Sequence, residues 1–337
     1  MDLSAMTYEE RFNFLWKLVV YRRPFILFGP AGSGKSYIGL RIMEKFIDEK
    51  FGDDHTYIRL QDVDDELLDD LYSNRVEIKG LYIAGSSNVT KFDVLGGRTL
   101  KDGSYVRRPG LLSYFRREGG VVFFDEISSI PPHFTILLNE IIDSIINGES
   151  HKDFFIFFAA NPSSYVGTEE LPTSTLERLV LIYYDHYPFE TEVKIVSELL
   201  REKLEISDSI LDVYSRFVVN IVRRLRREIN RAGIREIPLS VRSMENLGLA
   251  IIALAENKHI KFPADTRIHE HLYALIYGKL PASKTNVLKD KKVKLLIEFF
   301  EEKGITIETI RSAIFMLGTF AEMLEDRHFV NMVSSIV

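Results

Sequence analysis

The sequence contains no cysteine, which excludes disulfide staples and thiolate metal sites. It has no run of eighteen apolar residues and no charged-then-apolar leader, so neither a membrane-spanning helix nor a secretory signal is expected. The net charge is only −6 over 337 residues. That is too mild for a general coat of nucleic acid, although a local basic patch can still bind phosphates. Internal repeats and low-complexity tracts are also missing. What is present is 46% hydrophobic and 27% charged, the make-up of a globular protein, expected to be cytoplasmic. The length exceeds what one hydrophobic core serves, so two domains, or one domain with a sizeable appendage, are expected.

Five short apolar runs read as strands: FILF (25–28), TYIRL (56–60), VVFFD (121–125), FFIFFAA (154–160) and LVLIYY (179–184). Most are apolar at nearly every position, as in strands covered on both faces, and segments with helical spacing lie between them. This pattern predicts an α/β fold with a doubly wound parallel sheet. GRTLKDGSYVRR (97–108) reads as a hairpin around an Asp-Gly turn. After about residue 186 helical spacing takes over. Val218, Ile221, Val222, Leu225 and Ile229 fall on one face, and Ile310, Ile314, Leu317, Ala321 and Leu324 on another. YDHYPFET (184–191) reads as the junction, and the polar, basic stretch 281–292 as a loop or a link to a terminal helical unit.

The residues that carry chemistry begin at Gly29–Ser36, which follow a strand, precede a helical segment and fit G-x-x-x-x-G-K-[ST]. Gly29, Gly32 and Gly34 allow a turn whose N–H groups point inward, Lys35 can reach β and γ phosphates, and the Ser36 hydroxyl can ligate Mg²⁺. Pro30, Ala31, Ser33 and Tyr37 complete the candidate binding stretch. Asp125 and Glu126 end an apolar strand, at the carboxyl edge where α/β sheets bind ligands. Asp125 suits a metal-linked role, and Glu126 can orient or deprotonate an attacking water. Asn161 is delivered to the end of another buried strand, where its amide can donate to a γ-phosphate or hold that water. Arg178 closes a short helix; it reads either as a charge on the helix dipole or as a finger reaching a neighbour's nucleotide. Arg242 lies near a helix start in the helical part.

In this order GPAGSGKS, VVFFDEI, FFAANP, LERL and PLSVRSMENL resemble the Walker A, Walker B, sensor 1, arginine-finger and sensor 2 motifs of AAA+ ATPases. KFDVLGG, then GSYVRRPGLLSYFRREGGVVFFDEISSIPP and HKDFFIFFAANP, are similar to the MoxR branch with its CbbQ and NorQ relatives. The resemblance covers roughly residues 22–255. It implies an αβα P-loop NTPase domain over 1–186, with the hairpin as a helix-2 insert, an all-helical lid over 187–280, and a helical extension over 281–337. It also implies ATP and Mg²⁺ as cofactors, with Ser36 and Asp125 at the metal. Glu126 matches the catalytic acid, Lys35 the phosphate lysine, Asn161 sensor 1, Arg178 the finger supplied in trans and Arg242 sensor 2. The implied assembly is a homo-oligomer, a hexameric ring that remodels a protein client, with no membrane partner. One departure is visible. Only GESHKD separates the helix ending near Asn147 from the strand at Phe154, too little for the β-hairpin that the branch carries there.

Other features carry weaker chemistry. Tyr105, Arg107 and Arg108 of the hairpin read either as substrate contacts or as solvated residues. Arg223, Arg224, Arg227 and Arg231 follow one helical side and read first as a solvated face or subunit contact, and second as a nucleic-acid surface. His269 and His271 are two residues apart and make a poor metal pair on a helix. A nucleic-acid motor, a small-molecule kinase and a nucleotide-gated scaffold without turnover remain as alternatives.

Overall fold

Aromatic residues on neighbouring strands hold the centre of the protein together. The computed structural model describes residues 1–52, 55–86, 89–101, 104–162, 170–203, 208–231 and 239–256. Along the chain, helix α1 (Tyr8–Val20) leads into strand β1 (Phe25–Phe28), α2 (Lys35–Phe51), β2 (Tyr57–Arg59), α3 (Asp65–Tyr72) and β3 (Gly80–Ala84). There follow α4 (Lys91–Leu95), the hairpin β4 (Gly96–Lys101) and β5 (Ser104–Pro109), α5 (Leu111–Glu118), β6 (Gly120–Asp125) and α6 (Pro132–Thr135). Helix α7 (Asn139–Ile146), β7 (Phe154–Ala160), α8 (Thr173–Leu176) and β8 (Val180–Tyr183) complete the first part. Among the described residues, helices α9 (Phe189–Arg201), α10 (Asp208–Arg231) and α11 (Val241–Glu256) belong to the second. Contacts divide the chain between His186 and Tyr187. Among the described residues no helix is long and apolar enough to cross a membrane.

Six strands pair in the order β2-β3-β6-β7-β1-β8, all parallel. Every residue of β6 and β7 is buried, which explains why these runs do not alternate: both faces of the sheet are covered. The register sets Phe123 opposite Phe157, with rings stacked at 4.6 Å between centroids. Phe25 of β1 stacks on Phe157 in turn at 5.2 Å. Gly39 brings α2 onto this stack, since a Cβ there would lie 2.4 Å from the Phe123 ring. Helix–sheet distance is therefore set by a missing side chain.

The sheet contains a strand that the apolar runs do not announce. GLYIA (80–84) forms β3 between β2 and β6; it is short and bracketed by Gly80 and Gly85, so it reads locally as a turn. Gly80 is there because a Cβ would meet Tyr57 at 2.6 Å and Ile47 of α2 at 2.7 Å. TYIRL shortens to Tyr57–Arg59, with Leu60 starting a 3-10 turn. The expected hairpin forms, pairing Arg98 with Arg107 and Leu100 with Tyr105; the side chains of Tyr105, Arg107 and Arg108 lie outside the description.

The connection 147–153 is bound to the amino edge of the sheet. Arg22, at φ 53, donates to the carbonyls of His151 (3.3 Å) and Lys152 and to Ser150 Oγ at 3.2 Å. Gly120 N donates to Asp153 O at 2.7 Å. No strand forms in these residues, in keeping with their short length.

In the second unit, Leu211, Tyr214, Val218 and Val222 form the buried stripe of α10, three or four residues apart. The basic side of this helix requires a correction at Arg223. It is paired with the fully buried Glu192 of α9 at 2.9 Å, and so is Arg226 at 3.0 Å, because a buried carboxylate demands compensation. Arg227 is exposed. The side chains of Arg224, Arg231, Ile221, Leu225 and Ile229 lie outside the description. So do His269, His271, the stretch 281–292 and the Ile310–Leu324 pattern.

Gly39→Ala tests the aromatic stack. Alanine gains about 1 kcal/mol of helix propensity, but overpacking a fixed ring costs about 1–3 kcal/mol. The denaturant midpoint is expected to fall; a rise would show that helix and ring separate freely.

Candidate functional site

Because the strands run parallel, their carboxyl ends open on one edge. Gly29 follows β1, Gly85 follows β3, Asp125 closes β6, Asn161 follows β7, and Tyr184 and Asp185 follow β8. The glycine-rich turn leaves the sheet between β7 and β8. Gly29 N donates to Ala160 O at 3.3 Å and Tyr184 N to Phe28 O at 2.8 Å. A Cβ on Gly29 would lie 2.1 Å from the Tyr184 carbonyl oxygen, so no larger residue fits. The turn continues through Pro30, Ala31 and Gly32 (φ 76), and Ser33 N donates to Pro30 O at 3.4 Å. Ser33 is fully buried, and its hydroxyl has no hydrogen-bond partner among the described residues.

Gly34 then takes a left-handed conformation, φ 97 and ψ 12, and Lys35 opens α2. This helix start has no side-chain cap and no acid in its first turn. By contrast, α1 has a Thr7–Glu10 capping box and α3 is capped by Asp64. Open N–H groups and an unopposed positive dipole suit an anion. Ser36 and Tyr37 are exposed beside it, and the Tyr37 ring lies 6.0 Å from that of Tyr8.

Lys35 is 6% exposed. Its ammonium donates to Gly29 O at 2.8 Å and Pro30 O at 2.7 Å, closing the turn on itself. Loss of hydration lowers its pKa to about 8, against the pull of Asp125, Glu126 and Asp185. Asp185 belongs to the site but was not predicted. The signal was present, because it follows a buried strand as Asp125 and Glu126 do.

Asp125 is buried. Its Oδ2 accepts from the Tyr82 hydroxyl at 3.0 Å and its Oδ1 from Glu126 N at 3.0 Å. Tyr82 was missed because its strand was. Glu126 projects past the strand in a left-handed conformation, φ 51 and ψ 38, which for a non-glycine residue costs about 1–3 kcal/mol. Gly85 makes this possible: its N–H donates to Asp125 O at 2.7 Å, and a Cβ there would lie 2.2 Å from Glu126 O. The Glu126 carboxyl is raised in pKa, first by lost hydration and then by Asp125, with Lys35 opposing. A strained, solvent-reaching carboxyl beside a buried one suits a base that acts on water.

Asn161 is half-buried, and its N–H donates to Ser128 Oγ at 3.3 Å. Arg178 is held by α7 and α8: Nε donates to Asp143 at 2.9 and 3.0 Å, and Nη1 to the Ser174 carbonyl. Arg242 is exposed, two positions after Ser240 on α11 in the second unit.

Ser36 and Asp125 offer a hydroxyl and a carboxylate, oxygen donors of the kind a divalent cation takes. Among the described residues no group of three or more His, Cys, Asp or Glu is placed to hold a metal ion by itself. A metal at Ser36 and Asp125 would therefore complete its shell with phosphate oxygens and water, as Mg²⁺ does.

Residues 66–179 match the AAA domain (dynein-related subfamily). This range includes Asp125, Glu126, Asn161 and Arg178, and excludes the glycine-rich turn and Arg242. The chain is 26% identical over 187 residues to the gas vesicle ATPase GvpN of Haloferax mediterranei, over 52% of this chain and 50% of that protein. It thus spans about half the length of the curated relative. RuvB of Thermotoga maritima is 12% identical with a TM-score of 0.43, covering 94% of this chain and 86% of its own. Domain III of Thermotoga maritima DnaA is 13% identical with a TM-score of 0.38, covering 68% and 84%. The architecture, a parallel six-stranded sheet with flanking helices and a glycine-rich turn, is that of a P-loop NTPase.

The position of Lys35 predicts a pH dependence. As pH rises through about 8 the free protein loses the ammonium charge, whereas a bound polyphosphate favours keeping it. Affinity for a nucleoside triphosphate should then fall by up to about tenfold per pH unit above that point. Equilibrium binding across this range checks it, and Lys35→Arg, which stays charged, should flatten the profile. A native profile that is already flat contradicts the assignment.

Proposed function

We propose that this chain is a Mg²⁺-dependent ATPase that assembles as a homo-oligomeric ring, a hexamer, in the cytoplasm and uses hydrolysis to remodel a partner protein. One observation carries the reading: a buried Lys35 ammonium at an uncapped helix start, drawn by three carboxylates on the same strand edge. The match of residues 66–179 to an AAA domain supports it. ATP is chosen over GTP because the GvpN relative is described as an ATPase. The MoxR-like motif order supports a protein client. Engagement of Arg223 by Glu192 removes one member of the basic face on which a nucleic-acid reading relied.

In this mechanism the open N–H groups at the start of α2 and in the turn before it, up to Ser36, hold the β and γ phosphates, and Lys35 turns from its own carbonyls to them. Ser36 and Asp125 would hold Mg²⁺, which would supply positive charge to neutralise the phosphates. Tyr82 fixes the Asp125 carboxylate. Glu126 accepts a proton from the water that attacks the γ-phosphorus as the bond from that phosphorus to the β,γ-bridging oxygen breaks and ADP leaves, and its raised pKa brings it closer to the pH at which it works. Asn161 orients that water or the γ-phosphate. Arg178 leaves Asp143 and neutralises transition-state charge on a neighbouring copy's nucleotide, and Arg242 reads the phosphate from the helical unit.

Arg178 provides the test. Arg178→Ala should lower phosphate release from Mg²⁺-ATP by about 10³-fold or more, and Lys35→Ala should release none. If the arginine acts in trans, mixing the two variants should restore activity above their sum, because an Arg178→Ala copy keeps a sound turn that a Lys35→Ala copy can complete. A mixture that stays at the sum, or a fully active Arg178→Ala protein, contradicts this assembly.

A further inference from the structure

The second unit contains a charged network that the proposed chemistry leaves unused. Glu192, in the first turn of α9, is fully buried. Its Oε2 accepts from Arg223 Nη1 at 2.9 Å and its Oε1 from Arg226 Nη1 at 3.0 Å. Arg223 also donates to the Tyr187 carbonyl at 3.1 Å, the first residue after the division of the chain, and lies over the Phe189 ring at 5.7 Å. Arg226 uses its remaining edge on the other side of the network. Its Nε and Nη2 both donate to the Leu239 carbonyl, at 3.0 and 2.6 Å.

Leu239 lies two residues before Val241, where α11 starts. Ser240 caps that helix: its Oγ accepts from Ser243 N at 3.2 Å, while Ser243 Oγ accepts from Ser240 N at 3.3 Å. Arg242 therefore occupies the second position of a helix whose capping residue, Ser240, follows directly on the carbonyl that the Arg226–Glu192 pair holds. A cation in the first turn opposes the helix dipole, so helix stability does not account for an arginine there. Nor is the pair a cheap way to pack helices, because burying a carboxylate is expensive and apolar residues of similar volume would serve at least as well. A planar guanidinium that donates to a carboxylate from one nitrogen and to a carbonyl from the other two fixes geometry instead.

We infer that Glu192 and Arg226 are positioning residues for Arg242, linking the chain at Tyr187 to the α11 start so that this arginine is presented in one orientation. The inference rests on the phosphate-reading role proposed for Arg242 above. Its first consequence is energetic coupling: Arg226 and Arg242 belong to one functional unit, and removing both should cost no more than removing one.

Steady-state ATP hydrolysis and equilibrium ATP binding by the full chain test this with Arg226→Met, Arg242→Met and the double variant. Arg242→Met should lower kcat. Arg226→Met should lower kcat by about 2- to 30-fold with little change in ATP affinity, and should add nothing further in the Arg242→Met background. Equal fold losses in both backgrounds would overturn the inference in favour of general structural damage. So would a native kcat for folded Arg226→Met in the presence of a slow Arg242→Met. A native kcat for Arg242→Met would overturn the role of that arginine and the inference together. If Arg226→Met does not fold, Glu192→Gln, which keeps the shape and one accepting oxygen, is put through the same comparison. Arg226→Lys, which keeps the charge but not the planar grip on both acceptors, should fail to restore kcat; full restoration would overturn the geometric argument.

Discussion

A buried ammonium is the constraint around which the first unit is arranged. Lys35 is 6% exposed and satisfied by two carbonyls of its own turn. Burial drives its pKa down, and the carboxylates of Asp125, Glu126 and Asp185 keep it from falling further. Such a cation is costly unless anions face it. The carboxylates come from the ends of β6 and β8, strands separated in the sheet by β7 and β1. A parallel sheet provides this arrangement because all its carboxyl ends lie on one edge. In the proposed mechanism, polyphosphate oxygens would replace the turn's carbonyls as Lys35 partners.

The close approaches around Lys35 depend on missing side chains. Gly29 lets the turn pass under the Tyr184 carbonyl, Gly85 lets the end of β3 press on Glu126, and Gly39 lets α2 settle on Phe123. Each removes the space in which the helix start or the acids could shift. Strain accumulates at one non-glycine residue of this edge, Glu126, held left-handed beyond the strand. Conformational strain at this exposed carboxyl is consistent with the role proposed for Glu126, since such strain persists only where a rigid scaffold holds it.

Much of this was legible in the sequence. The turn, the paired acids and Asn161 each stand at the end of a continuous apolar run, and such runs mark the buried strands of a parallel sheet. β3 was not legible, since Gly80 and Gly85 give GLYIA the punctuation of a turn, and its tyrosine, which holds Asp125, was lost with it. Asp185 was read as a junction residue although it follows a buried strand as Asp125 does. Arg223 looked like part of a solvated face. Its partner Glu192 lies on another helix 31 residues away, and spacing along a single helix carries no information about that pairing.

The most direct measurement is turnover by Glu126→Gln alongside its ATP affinity. Glutamine keeps the shape at φ 51 and removes the proton acceptor, so ATP affinity should stay within a few-fold of native while hydrolysis falls by about 10²- to 10⁴-fold. Hydrolysis at the native rate with ATP bound would contradict the assignment of Glu126 as the base.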